Sequence, residues 1–244
     1  VCAGAGSKVA KHGNRAASSK AGSADLLEAL GINIALEPAG VEASIREVGI
    51  GFLFAPALHG AMRHAIGPRR EIGVRTIFNI LGPLTNPARS QHQLVGVYDA
   101  TLIEVMARVL QNLGAKRAFV VHGDDGLDEM TTTGQTSVAE LRNGQVHTYK
   151  IHPADFGLPM NRPEDLQGGD AAYNAALTRR LLRGEDLPQR SIVLLNAAAA
   201  IAAGTPDQSL AACVPQARVA LESGQALAKL EHLREFTQQW SPTS

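Results

Sequence analysis

Short apolar runs of strand length alternate along this chain with stretches of helical periodicity, and no other feature restricts the possible folds as much. Ile50–Ala55 (IGFLFA), Gln93–Tyr98 (QLVGVY) and Ala118–His122 (AFVVH) are such runs, and a helical pattern covers Thr101–Leu113. Strands that alternate with helices form α/β folds, in which helices cover both faces of the sheet. We therefore expect an α/β protein with a central, mixed, largely parallel sheet flanked by helices.

Turn and cap residues refine this pattern. Ser23 is expected to cap a helix that ends at Gly31, because Ser favours helix N-caps and Gly favours the position after the last turn. Asn143-Gly144 separates two strand-like segments, Ser137–Leu141 and Val146–Ile151, and this dipeptide is the strongest short signal for a β-hairpin. Further helices are expected at Val41–Val48, His59–Ile72, Ala171–Arg183, Ser191–Ala203 and Leu210–Gln239.

Charge and cysteine content exclude several classes of protein. Lys and Arg number 23 and Asp and Glu number 23, so the net charge is zero, which argues against a nucleic-acid or membrane-surface binder. The two cysteines, Cys2 and Cys213, form neither a disulfide framework nor a zinc motif. No run reaches the roughly 18 apolar residues that span a bilayer. We expect a cytoplasmic protein with no nucleic-acid partner and no membrane partner.

The segment Lys11–Asp25 (KHGNRAASSKAGSAD) concentrates cations, hydroxyls and glycines just before a predicted helix. Backbone N–H groups, small hydroxyls and cations at a helix start are the groups that bind a phosphate. A phosphate-binding loop and a solvated basic loop both fit this composition. The segment contains neither the Walker motif nor the dinucleotide-binding GxGxxG fingerprint.

A second segment, Arg69–Pro87 (RREIGVRTIFNILGPLTNP), places arginines beside an apolar run. A guanidinium at the edge of an apolar wall suits a small aromatic or aliphatic acid, since the ring can lie on the wall and the carboxylate can meet the guanidinium. Arginines on the surface of a helix are the alternative interpretation.

The third segment, Gly123–Glu129 (GDDGLDE), directly follows the predicted strand AFVVH. Ligands of α/β sheets usually bind where the carboxyl ends of strands lie, and carboxylates without His or Cys partners suit Mg²⁺. An acidic surface turn would have the same composition. Taken together, the three segments indicate magnesium-dependent chemistry on a phosphorylated substrate.

Three motifs in this order, KHGNRAASSKAGSADLLEALG, RREIGVRTIFNILGPLTNPA and HGDDGLDE, resemble the anthranilate phosphoribosyltransferase family of tryptophan biosynthesis. The resemblance extends over nearly the whole chain, including the late segment LLNAAAAIAAG. It implies a fold like that of nucleoside phosphorylases and phosphoribosyltransferases. It also implies transfer of the phosphoribosyl group from phosphoribosyl pyrophosphate to the amine of anthranilate, with release of pyrophosphate.

The same resemblance implies the site residues. Lys11 and Arg15 are expected to stabilise the negative charge of the departing pyrophosphate, and Mg²⁺, as two ions in the family pattern, is expected on Asp128 and Glu129. No essential general base is expected, and His12 is expected to orient a neighbour or to meet a phosphate. The residues implied for phosphoribosyl pyrophosphate are Lys11, His12, Gly13, Asn14, Arg15, Ala16, Ala17, Ser18, Ser19 and Ser23, and those implied for anthranilate are Asn14, Arg69 and His59.

One part of the family pattern is not found in the sequence. The family has a GTGGD loop, an Asn-x-Ser-Thr segment and a helical region before KHGNR, whereas this chain opens with VCAGAGSKVAKHGNR. We therefore expect residues 1–244 to form the α/β catalytic domain, with the small helical domain mostly missing. Residues 56–79 are expected to pack against that N-terminal domain. The family dimerises through it, so a homodimer is expected of the complete protein.

Three other interpretations are compatible with this fold. A nucleic-acid-binding relative should have a basic surface and lack the anthranilate-binding arginine, which the zero net charge and Arg69 disfavour. A pyrimidine nucleoside phosphorylase uses different residues at its phosphate site than KHGNR. An inactive fragment of the transferase would carry the same motifs as an active enzyme.

Overall fold

The computed structural model describes residues 1–16, 20–58 and 78–241. Helices and strands alternate through most of this part of the chain, which confirms the predicted α/β class with mixed sheets flanked by helices. The strands are β1 (Val9–Gly13), β2 (Ile50–Phe54), β3 (His92–Gly96), β4 (Arg117–Gly123), β5 (Thr136–Arg142) and β6 (Gln145–Ile151). The α-helices are α1 (Ser23–Ala29), α2 (Pro38–Glu47), α3 (Ala55–Leu58), α4 (Phe78–Leu84), α5 (Leu102–Asn112), α6 (Ala171–Leu182), α7 (Arg190–Gly204), α8 (Leu210–Glu222) and α9 (Gln225–Gln239).

The chain divides into two compact units. The first unit contains Val1–Ser7, Ser90–Gln167 and Arg180–Leu227, and the second contains Lys8–Arg89, Gly168–Arg179 and Ala228–Ser244. In the described residues of each unit the strands form one sheet, with β3 to β6 in the first unit and β1 and β2 in the second. Across the described part of the chain, no helix is both long and apolar enough to cross a membrane.

The sheet of the first unit has the strand order β3-β4-β5-β6. β3 and β4 run parallel, whereas β4, β5 and β6 are antiparallel neighbours. The helices α5 and α7 pack on β4, where the consecutive residues Ala118 to Val121 are all 0% exposed. Successive strand side chains point to opposite faces, so this burial shows that both faces of β4 are covered.

The hairpin predicted around Asn143-Gly144 is confirmed, because this dipeptide joins β5 to β6. Asn143 has a φ of 52° and Gly144 a φ of 71°, and two consecutive positive φ values define the turn that best matches the twist of a hairpin. A two-residue turn can join only antiparallel strands. The hairpin therefore accounts for the antiparallel β5–β6 pair, and the antiparallel β4–β5 pair also contributes to the mixed character of this sheet.

The sheet of the second unit pairs β1 with β2 in parallel, with Lys11 opposite Phe52 and His12 opposite Leu53. β1 was not predicted from the sequence, because its residues VAKHG lack the apolar pattern of the other strands. The buried cluster of this unit comprises Ala24, Leu30, Ile32, Ile34, Val48, Phe52, Ala175 and Leu233.

Two helix predictions are wrong in part: the cap of α1, and the continuity of the helix predicted over Leu210–Gln239. Gly22, with extended backbone angles, is the N-cap of α1, and Ser23 is the first helical residue. The predicted helix Leu210–Gln239 is two helices, because Gly224 has a φ of 78° and the helical path stops there. The predicted end of α1 at Gly31 is confirmed, with a φ of 87° at that glycine. The prediction for His59–Ile72 lies outside the described residues.

Candidate functional site

The basic segment of the second unit connects a strand to a helix. Lys11, His12 and Gly13 are the last three residues of β1, and α1 begins at Ser23. Residues 14–22 are called the β1–α1 loop here, and three of them, 17–19, lie outside the described residues. The loop follows the carboxyl end of a parallel strand, which is where α/β sheets bind ligands.

Glycines allow the described parts of this loop to pack closely. A Cβ on Gly22 would lie 2.4 Å from the backbone nitrogen of Ala16, and a Cβ on Gly13 would lie 2.4 Å from the Ser23 hydroxyl. The carbonyl of Asn14 accepts hydrogen bonds from the Ser23 hydroxyl at 3.3 Å and from the Ala24 backbone N–H at 3.2 Å. The loop thus turns back onto the start of α1, and larger residues at the two glycine positions would separate it from the helix.

Two carboxylates of α1 hold the loop. Asp25 accepts hydrogen bonds from the backbone N–H groups of Ala16, at 3.0 Å, and Gly22, at 2.8 Å. It also accepts one from the Arg15 guanidinium at 3.1 Å, and Glu28 accepts another from Arg15 at 2.8 Å. The hydrogen bonds from the Ala16 and Gly22 amides, with the Arg15 charge, lower the pKa of Asp25. In this structure the charge of Arg15 is balanced by two acids of its own unit.

Sequence reasoning did not identify Asp25 and Glu28 as partners of Arg15. The signal that could have found them is their spacing, because residues three apart on a helix lie on the same face. Lys11 and Arg15 are both exposed, but the Arg15 guanidinium is already paired with Asp25 and Glu28. His12 is partly buried.

The acidic segment of the first unit is the loop Asp124–Glu129, which begins directly after β4. Its four carboxylates have different surroundings. Asp124 forms an ion pair with Lys150 at 2.8 Å, and Asp125 accepts hydrogen bonds from the hydroxyls of Thr131, at 2.5 Å, and Thr133, at 2.6 Å. Asp128 and Glu129 are exposed neighbours, and the Asp128 carboxylate makes no hydrogen bond or ion pair with any described residue.

The surroundings of Asp125 keep it ionised. Its partial burial favours the neutral acid, but the hydrogen bonds from Thr131, Thr133 and the Leu127 backbone outweigh that effect, so its pKa is lowered. Asp125 therefore acts as a fixed acceptor within the loop. All four acidic residues of the loop are exposed to solvent, and the choice of Asp128 and Glu129 as the metal pair stays a prediction of the family resemblance.

The acidic loop fits Mg²⁺ better than a softer metal. In the part of the chain that the structure describes, no group of three or more His, Cys, Asp or Glu side chains could by itself hold a metal ion. Mg²⁺ is commonly held by one or two carboxylates together with substrate phosphates and water. Two adjacent, solvent-exposed carboxylates are therefore a suitable donor set for Mg²⁺ that arrives with a phosphorylated substrate.

Residues distant in sequence determine where this loop lies. The carbonyl oxygen of Asp128 lies 1.6 Å from the position of a Cβ on Gly96, the last residue of β3. The backbone N–H of Met130 donates to the Asn196 side chain at 2.9 Å, and the Met130 carbonyl accepts from it at 2.8 Å. Sequence reasoning missed Gly96 and did not assign a role to Asn196, although an Asn inside the apolar run LLNAAAA is a signal.

The remaining predicted site residues fall outside the described part of the chain. They are Ala17, Ser18 and Ser19 of the β1–α1 loop, and His59 and Arg69 of the predicted anthranilate site. The assignments of these residues stay predictions, as do the individual roles of the described residues Lys11, His12, Gly13, Asn14, Arg15, Ala16, Ser23, Asp128 and Glu129.

Comparison with known proteins shows to which family this chain belongs. The model of the glycosyl transferase family, a/b domain, matches residues 1–227. Anthranilate phosphoribosyltransferases from Acetivibrio thermocellus and Geotalea uraniireducens are 53% and 55% identical to the chain over 237 residues. These alignments cover 97% of this chain and 69% and 68% of the two relatives.

Solved structures show the same relationship. Anthranilate phosphoribosyltransferase from Thermus thermophilus superimposes with a TM-score of 0.91 at 47% identity, over 97% of this chain and 70% of that one. The enzyme from Saccharomyces cerevisiae, in complex with PRPP and Mg, has a TM-score of 0.88 at 27% identity, over 98% of this chain and 68% of that one.

Proposed function

The chain belongs to the anthranilate phosphoribosyltransferase family, and on this premise we propose that it transfers the 5-phosphoribosyl group from phosphoribosyl pyrophosphate to the amine of anthranilate. The products are N-(5-phosphoribosyl)anthranilate and pyrophosphate, and the reaction is a step of tryptophan biosynthesis. The observation that carries this proposal is the match at more than 50% identity over 97% of the chain, which includes both the basic and the acidic loop.

We propose that the β1–α1 loop binds phosphoribosyl pyrophosphate. An exposed Lys11 at the end of β1, backbone groups packed closely at Gly13 and Gly22, and the Ser23 hydroxyl at the start of α1 support this role. These are the groups that a phosphate requires. Ala17, Ser18 and Ser19 belong to the same predicted set. The hydrogen bonds of Asp25 to the Ala16 and Gly22 amides hold the loop in position before a ligand arrives.

Asp128 and Glu129 are proposed to hold Mg²⁺, and the predicted number of ions is two. When bound, the metal would neutralise the negative charge that develops on the leaving pyrophosphate. The backbone contact at Gly96 and the hydrogen bonds at Met130 hold this part of the loop through its main chain, without using the Asp128 carboxylate as an acceptor. The side chains of Asp124 and Asp125 keep the loop shape through Lys150 and the threonines instead.

The reaction needs positioning more than proton abstraction. The aromatic amine of anthranilate is neutral near pH 7, so its lone pair is available for attack on the ribose carbon, which becomes electron-poor as pyrophosphate leaves. Holding two reactants in the attack geometry can supply roughly 7–11 kcal/mol of the barrier. Asn14, His59 and Arg69 are the residues proposed for anthranilate, with the Arg69 guanidinium suited to its carboxylate.

The proposal is tested by following the loss of anthranilate fluorescence in the presence of phosphoribosyl pyrophosphate and Mg²⁺. We expect turnover that stops when the metal is chelated with EDTA. Lys11→Ala should raise the KM for phosphoribosyl pyrophosphate, whereas Lys116→Ala, which removes another lysine of the chain, should leave it unchanged. Turnover that is unaffected by EDTA would contradict the metal assignment, and the absence of product would contradict the activity.

Three further expectations are part of the proposal. The complete protein is proposed to be a homodimer and to be located in the cytoplasm. Residues 1–244 are proposed to act as the α/β catalytic domain, with 56–79 packing against a preceding helical domain. Size-exclusion chromatography with light scattering tests the dimer, and a mass equal to that of one chain would contradict it.

A further inference from the structure

We infer that Asn196 is a positioning residue for the metal site: its side-chain amide holds the backbone of the acidic loop so that Asp128 and Glu129 are ready to bind Mg²⁺. This inference rests on the proposed function, because it assumes that these two carboxylates are the metal ligands. It adds to that function a residue of α7 that touches neither the metal nor the substrates.

The hydrogen bonds of Asn196 use both ends of its amide. Its Oδ1 accepts from the backbone N–H of Met130 at 2.9 Å, and its Nδ2 donates to the carbonyl of Met130 at 2.8 Å and to that of Ile192 at 2.9 Å. Met130 directly follows Glu129 and is 0% exposed. One side chain therefore satisfies both backbone groups of the residue next to the metal pair.

An amide at this position is costly unless it is used. α7 packs on β3 and β4, and its neighbouring residues Leu194, Leu195, Ala197 and Ala198 are buried. A polar group among apolar neighbours destabilises the fold unless it is hydrogen-bonded. A leucine at position 196 would match the apolar composition of this helix. The amide is therefore best explained by its hydrogen bonds to the Met130 backbone.

A second set of contacts holds the other side of the loop. Asp125 accepts from the hydroxyls of Thr131 and Thr133 and from the backbone N–H of Leu127, at 3.1 Å for the last. The backbone N–H of Gly123 donates to the Leu127 carbonyl at 2.8 Å. Asp128 and Glu129 lie between Leu127 and Met130, and the backbones of both flanking residues are hydrogen-bonded, so the backbone that carries the pair is held on both sides.

The consequence is a metal pair that is ordered before the metal binds. Binding then costs less entropy than ordering a loose loop would, which raises the affinity for the metal. Outer-shell partners of metal ligands typically change metal affinity by about 10- to 100-fold when they are removed. We expect that removing the Asn196 amide weakens metal binding by a factor in this range.

The test measures metal affinity and loop order separately. Mn²⁺ replaces Mg²⁺, and its binding to the protein is read from the loss of the free Mn²⁺ electron paramagnetic resonance signal beyond the loss that the same concentration of phosphoribosyl pyrophosphate causes without protein. Hydrogen exchange of the peptide covering 124–131 is measured on the metal-free protein. Asn196→Leu should weaken Mn²⁺ binding about 10-fold or more and speed the exchange of this peptide. Asp125→Ala, which removes the acceptor of the hydrogen bonds from Thr131, Thr133 and the Leu127 backbone, should change both readouts in the same direction.

Two controls separate positioning from stability. Ile201→Ala removes a buried side chain one to two turns further along α7, so it should lower the free energy of unfolding without changing Mn²⁺ affinity. Gln111→Leu removes a side-chain amide that donates to the Gly144 carbonyl, outside the acidic loop, and should leave Mn²⁺ affinity unchanged.

The possible failures are distinguishable. Unchanged Mn²⁺ affinity in a folded Asn196→Leu protein would overturn the inference and leave the proposed function intact. An equal loss of affinity in Ile201→Ala would also overturn it, since the effect would then follow stability alone. Absence of Mn²⁺ binding by the unsubstituted protein would overturn the metal assignment and, with it, this inference.

Discussion

The backbone carbonyl of Asp128 lies against Gly96, only 1.6 Å from the position that a Cβ on this glycine would occupy. A side chain at position 96 and the present path of the acidic loop therefore exclude each other. Because Gly96 ends β3, the end of one strand determines how closely the loop after its neighbour β4 can approach the sheet.

We predict that Gly96→Ala displaces the acidic loop and weakens the metal site. The Mg²⁺ concentration for half-maximal phosphoribosyl transfer should rise by about 10-fold or more, as for other changes in the support of metal ligands. The measurement is the initial rate of anthranilate consumption over a Mg²⁺ series. Gly204→Ala is the matched control, because a Cβ there meets no atom within 4 Å. The same Mg²⁺ dependence in Gly96→Ala and the unsubstituted protein would show that the loop tolerates the shift.

Asp25 organises the β1–α1 loop, and Asp25→Ala should impair it. The carboxylate accepts from two backbone N–H groups and from Arg15, and hydrogen bonds to a charged acceptor are the stronger kind. We expect the KM for phosphoribosyl pyrophosphate to rise about 10-fold while the KM for Mg²⁺ changes little. Steady-state kinetics over both ligands measures this. Asp186→Ala removes another exposed carboxylate and should be silent; an unchanged KM in Asp25→Ala would refute the organising role.

Arg117 is a buried cation whose loss should destabilise the first unit. Its side chain is 2% exposed, forms an ion pair with Glu140 at 2.9 Å and donates to the Ala202 carbonyl, near the end of α7, at 2.7 Å. Arg117→Met would leave Glu140, itself 14% exposed, without its cation. Breaking a buried pair from one side costs about 3–5 kcal/mol, which urea unfolding would measure. The double variant Arg117→Met with Glu140→Leu should recover part of the lost free energy of unfolding. If it recovers none, the destabilisation comes from the lost hydrogen bond to the Ala202 carbonyl rather than from the unpaired Glu140.

Tyr149 should make stability fall at alkaline pH. The pKa of its phenol is raised above the usual value of about 10, mainly by burial and to a smaller extent by the negative charge of Glu140. The phenol thus stays neutral in the folded protein while it ionises in the unfolded chain, so its contribution is complete below about pH 10 and is lost as pH rises further. Tyr149→Phe should reduce this decline by at most about 1.4 kcal/mol per pH unit, measured by urea unfolding between pH 9 and 11.5. Identical declines in both proteins would contradict the raised pKa.

Structural features that depend only on neighbouring residues were predicted well. The strand AFVVH, the hairpin at Asn143-Gly144 and the end of α1 at Gly31 all agree with the structure, because each depends on local hydrophobic periodicity or on a residue that tolerates positive φ. β1 was missed because its pairing with β2 requires no apolar pattern of its own. The cap of α1 was assigned to Ser23, but the N-cap is Gly22, whose backbone N–H donates to the Asp25 carboxylate.

The sequence by itself determined the α/β class, the family and the two loops, since their motifs are contiguous and their chemistry depends on residue type. Only the tertiary structure decided how those loops are held. It paired Arg15 with Asp25 and Glu28, and it placed Asn196 on the backbone of Met130, 66 residues away. The physical reason is that a hydrogen bond or a close backbone contact between distant segments depends on how helices and strands pack, and no local pattern records that packing.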